Sequence, residues 1–108
     1  MRKYLFILCI AALIGSCAVR KTEPISGKVV DTSKPRVKNG ETLYLTYCYQ
    51  CHPSGETGLG PSVTTVPGFL TRFQARHGMG VMPAFDKDRL SKQDLKDIAL
   101  YLKKLKKL

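Results

Sequence analysis

Apolar and polar positions divide this chain into unequal parts. An apolar run from Tyr4 to Ile14 follows Arg2 and Lys3. It is too short to cross a bilayer as a lone helix. Residues 18–37 show no periodicity of either kind beyond the pair Val29-Val30, and carry Pro24 and Pro35. Val37, Tyr44 and Cys48 then recur at helical spacing, with Gly40 on the same side. That pattern predicts a helix over Arg36 to Cys48, capped by Asn39 or Ser33. A glycine inside a helix costs about 1 kcal/mol against alanine, so Gly40 calls for close approach of another helix. Pro53 to Thr65 reads as a Gly/Pro/Ser/Thr-rich loop. Phe69, Leu70 and Phe73 fit a short helix.

The last helix has the clearest pattern. Ser91 is a good N-cap, and Asp94 three residues later completes a capping box. Leu90 and Leu95 stand where a hydrophobic staple puts them. Leu95, Ile98, Ala99, Leu102 and Leu105 form one apolar stripe. Lys103, Lys104, Lys106 and Lys107 crowd the C-terminal turn, where the helix dipole favours cations. The expected fold class is all-α.

These patterns imply three regions. Residues 1–16, with a basic start and an apolar stretch, read as an export signal. Residues 17–37 read as a flexible linker with five basic and two acidic residues. Residues 38–108 read as the folded domain, near the lower size limit for a chain that must bury its own core. The end of the first region, Leu13-Ile14-Gly15-Ser16-Cys17, resembles a bacterial lipobox. The resemblance implies lipidation of Cys17 and anchorage to the extracytoplasmic side of a cell membrane, inner or outer. Cys9 lies within the apolar run and reads as apolar filler.

The chemistry concentrates in Cys48-Tyr49-Gln50-Cys51-His52. C-x-x-C-H is the attachment signature of a c-type haem. Two thiols at that spacing can add to the two vinyl groups of one porphyrin edge, and the following histidine is then held under the iron as its proximal axial ligand. Other readings of the same residues are weaker. No βαβ pattern surrounds a redox C-x-x-C, and no second pair completes a zinc site. A plain disulfide stays open for an exported chain. Export itself agrees with haem attachment.

On these residues the domain resembles the small class I bacterial c-type cytochromes with one haem. In that family an N-terminal helix with Gly-x-x-x-aromatic crosses a C-terminal helix with an apolar residue and an aromatic three apart. Here the positions are Gly40 and Tyr44, then Ile98 and Tyr101. The haem motif directly follows the first helix, and Gly60-Pro61 matches the pair that comes after it. The resemblance implies a class I cytochrome c fold wrapped around one covalent haem c and its iron. It implies that the Pro61 carbonyl orients His52. It also makes Met82, in Met82-Pro83-Ala84-Phe85, the distal axial ligand; Met79 and His77 are alternatives. Glycines 78 and 80 would let the backbone pass close to the ring, and Arg72 and Arg76 are candidate partners of the propionates.

The formal net charge of +10 falls to +8 once Arg2 and Lys3 are removed with the signal. No helix combines basic residues with base-reading groups, so nucleic acid is not implied. A docking surface for redox proteins explains the charge better. No Ser-His-Asp set, paired carboxylates or phosphate loop is visible, so neither an enzyme nor a small-molecule substrate is expected. The reading is a lipid-anchored single-electron carrier between a donor and an acceptor protein. The alternatives are a fixed haem subunit of a larger membrane oxidoreductase, or a haem sensor or peroxidase-like protein with an open sixth coordination site.

Overall fold

The structure is a computed structural model that describes residues 27–53 and 58–108. The predicted signal, Cys17 and the first part of the linker lie outside the described residues. Among the described residues three helices form the framework: α1 (Pro35–Tyr47), α2 (Gly68–His77) and α3 (Lys92–Lys106). No strand occurs among the described residues, and the all-α expectation holds. None of the described helices is long and apolar enough to cross a membrane.

α1 starts one residue earlier than its hydrophobic spacing predicts. Lys34 is the N-cap, with no side-chain cap, and Pro35 takes the first helical position. A proline there loses nothing, because that N–H has no intrahelical partner, and its φ is already helical. Neither candidate cap acts. The Ser33 N–H turns back to the Asp31 carboxylate at 2.9 Å, and the Asn39 side chain reaches across to α3. Val30 and Val37 are both buried in the core, so the packed unit includes the end of the expected linker.

α3 forms as its sequence predicts. The Ser91 hydroxyl accepts from the Asp94 N–H, and the Asp94 carboxylate accepts from the Ser91 N–H, each at 3.0 Å. Leu90 and Leu95 are buried on either side of the cap. α3 packs against both other helices and is the centre of the molecule. Its contact with α1 is closest at Gly40, where an added Cβ would lie 2.1 Å from the Asp97 carbonyl oxygen. The glycine is there because the two backbones touch. Tyr44, one turn later, is fully buried with its ring 5.6 Å from that of Tyr101.

A polar cluster closes the same interface. Asp97 is only 4% exposed, yet its carboxylate accepts from Arg36 Nε at 2.7 Å, Gln93 Nε2 at 2.8 Å and Asn39 Nδ2 at 3.0 Å. Asn39 also donates to Asp94 at 3.1 Å. Burial pushes the Asp97 carboxyl up, but its hydrogen bonds from Asn39, Arg36 and Gln93 and the charge of Arg36 together hold it below the usual range. Asp94 is held low by Asn39 first and by the Ser91 N–H second.

Candidate haem site

The C-x-x-C-H segment continues the end of α1 as one more helical turn. The N–H groups of Cys48 and Tyr49 both donate to the Tyr44 carbonyl at 2.9 Å. Those of Cys51 and His52 donate to the Cys48 carbonyl at 3.2 and 2.9 Å. The turn gives Cys48 and Cys51 the one-turn spacing that brings side chains to one side. Both thiols are free, so the disulfide reading does not describe them. Cys48 packs against the core, whereas Cys51 is exposed. Burial, together with Cys51 nearby, pushes the Cys48 thiol up to about 11, so it stays protonated at neutral pH.

His52 is restrained on several sides. Its Nδ1 lies 2.8 Å from the Pro61 carbonyl oxygen, as expected. That contact makes Nδ1 the protonated nitrogen and leaves Nε2 with its lone pair for a metal. The imidazole lies on Gly60, where an added Cβ would sit 2.3 Å from Cε1. The Gly60 N–H is fixed to the Cys51 carbonyl at 2.7 Å, which ties this support to the motif. The Tyr44 hydroxyl donates to the His52 carbonyl, a contact that the sequence reading missed. The spacing of eight residues from Tyr44 to His52 is the only signal of it in the sequence.

The second half of the site is the segment after α2. Gly78 ends that helix with φ +69°, and a Cβ there would meet the backbone of Met82, Pro83 and Ala84 at 2.7–2.9 Å. Its role is therefore to admit the backbone of its own loop. Gly80, with φ +58°, faces open space. It occupies the first central position of a tight turn in which Met79 and Met82 exchange backbone hydrogen bonds of 3.1 and 2.9 Å. Positive φ at that position favours glycine. The far end of the loop is pinned to α2. The Phe85 N–H donates to the Ala75 carbonyl at 2.9 Å, and Arg76 Nη1 donates to the carbonyls of Phe85 and Leu90 at 2.9 Å each. Arg76 thus ties the loop to α2 through two backbone acceptors. Arg72 lines a groove of about 510 Å³ between α2 and α3, which Arg36, Lys96, Lys103 and Lys106 also line.

The three candidate distal ligands separate by environment. Met82 is half-buried and packs against the core. Met79 is 66% exposed. His77 is exposed on α2, its ring stacked on Phe73 at 4.2 Å and its Nδ1 2.9 Å from the Phe73 carbonyl. Large apolar side chains stand exposed, among them Leu59 at 83% in the segment after the motif and Val81 at 94% in the loop after α2. Apolar surface of that kind suits an apolar plate such as a porphyrin. The donor set fits the group too, with two free thiols, one imidazole held through its Nδ1, and one inward thioether.

A family model described as "Cytochrome C oxidase, cbb3-type, subunit III" matches residues 35–102. The chain belongs to this family of c-type cytochromes. Its cofactor is a covalently held c-type haem with its iron, its fold is the class I cytochrome c fold, and its partners are redox proteins. The cytochrome is also similar to cytochrome c6 of Petalonia fascia. The two are 29% identical over 76 residues, covering 61% of this chain and 88% of the relative. No solved structure matches the chain.

Proposed function

We propose that this cytochrome is a single-electron carrier whose iron is held by His52 and Met82. Cys48 and Cys51 form the thioethers, and Cys17 carries a lipid that anchors the protein on the extracytoplasmic side of a bacterial membrane. The observation that carries the reading is the pair of restraints on the two axial side chains. His52 presents Nε2 because Pro61 engages Nδ1. Met82 packs inward while Met79, three residues away, stands in solvent.

When bound, the haem supplies the one-electron ferric/ferrous couple. The chain's part is to keep both axial ligands in place in either state. Hydrogen bonding from Nδ1 to Pro61 makes the imidazole a stronger donor. The Met82 loop is held at one end by close packing on Gly78 and at the other by Ala75 and Arg76. A ligand set held from both sides changes little on electron transfer, which favours speed.

A second reading is favoured by the family itself, which is described as that of an oxidase subunit. On that reading the same site serves as a fixed haem relay within a larger membrane oxidoreductase. A potentiometric titration tests the first reading. A one-electron Nernst curve in detergent-extracted, isolated protein, with no carbon monoxide binding by the reduced form, supports a carrier. Recovery of the haem only in a multi-subunit complex supports the relay. Release into the soluble fraction on Cys17→Ala tests the anchor; retention in the membrane would reject it.

A further inference from the structure

We propose that Tyr44 is a positioning residue for the proximal ligand, holding the His52 backbone through its phenolic hydroxyl. The proposal rests on the reading of His52 as that ligand. Tyr44 is completely buried, and its ring is fixed between those of Tyr101 at 5.6 Å and Tyr49 at 6.4 Å. A phenylalanine would fill the same space. What the tyrosine adds is one donor, directed at the carbonyl of His52.

The connection runs from helix packing to the ligand. Tyr44 sits one turn after Gly40, at the closest contact of α1 with α3. Its carbonyl receives Cys48 and Tyr49 at the start of the motif, and its hydroxyl holds the motif's last residue. The main chain of His52 is therefore fixed on both sides, its N–H by Cys48 and its carbonyl by Tyr44. With the main chain fixed, the ring meets Pro61 in one orientation. Without the hydroxyl the His52 carbonyl loses its acceptor role and the ring gains a degree of freedom. The Nδ1–Pro61 bond then weakens, the imidazole becomes less basic, and the ferric state loses support.

The test compares Tyr44→Phe with Tyr101→Phe, the same chemical change in the same aromatic cluster, in the mature haem-bearing protein. The readouts are reduction potential and hydrogen exchange of the His52 Nδ1–H, followed by NMR in the reduced state. Tyr44→Phe should raise the potential and speed exchange about tenfold, the scale of one ordinary hydrogen bond. Tyr101→Phe should change neither. Unchanged values in Tyr44→Phe, or equal changes in both variants, would overturn the proposal. Should Tyr44→Phe not mature, a tyrosine fluorinated beside its hydroxyl at position 44 carries the test as a stronger donor of nearly the same shape. It should lower the potential and slow exchange; unchanged values would overturn the idea. Absence of histidine ligation in the unaltered protein would instead reject the reading of His52, and the proposal with it.

Discussion

At the scale of single residues, the site depends on where small side chains let larger ones lie. Gly60 has no Cβ because the His52 imidazole occupies that space. Gly60→Ala should push the ring away from Pro61. We expect a mature protein with a weakened proximal bond, seen as increased high-spin character in the ferric absorption spectrum. An unchanged low-spin spectrum would show that the ring tolerates the methyl group. Much of this chemistry could be read directly from residue order, since Cys48, Cys51 and His52 form a contiguous motif. Pro61 was legible only through the family resemblance, since Gly60-Pro61 by itself implies no more than a turn. The carbonyl acceptors of Arg76 were not legible, because they belong to residues 9 and 14 positions away and nothing local announces them. Gly78 was legible as a place of close approach, but the sequence could not tell whether ring or backbone approached it.

At the scale of elements, the α1–α3 contact carries the fold. Gly40→Ala would drive a methyl group into the Asp97 carbonyl and should cost about 3 kcal/mol, as overpacking does where a backbone must move. Gly68→Ala is the matching control, because its new Cβ would meet only the Ala99 methyl at 3.4 Å. Denaturant unfolding of the two variants should differ clearly. The Asp97 cluster adds a pH dependence. Asp97 and Asp94 are both held low in the folded state, so the unfolded chain binds more protons in acid. Their contribution is therefore present above the unfolded carboxylate value of about 3.9 and is lost as pH falls through the lower folded values. Asp97→Asn should flatten that acid limb and cost about 2 kcal/mol at neutral pH, read from midpoints of unfolding across pH. The capping box of α3 was legible because all of its partners lie within four residues. The Arg36–Asp97 contact spans 61 positions and had no such signal. The early start of α1 was missed because hydrophobic spacing says nothing of a proline whose fixed φ begins the helix.

At the scale of the whole molecule, the three described helices enclose a small core, and large apolar side chains such as Leu59 and Val81 stand exposed. The covalent haem should supply much of the missing apolar contact. Protein made without haem should melt far below the mature form and with a broader transition, as circular dichroism can measure. The strong positive charge makes a second prediction. Electron exchange with an anionic redox partner should slow steeply as ionic strength rises, while exchange with a neutral reagent should not. The most direct test of the central claim is the absorption spectrum of the mature, oxidised protein beside its Met82→Ala and Met79→Ala variants. Ligation by His52 and Met82 predicts a low-spin spectrum with the weak methionine-to-ferric band, lost in Met82→Ala and kept in Met79→Ala. A band that survives Met82→Ala, or a high-spin spectrum in the unaltered protein, would contradict it.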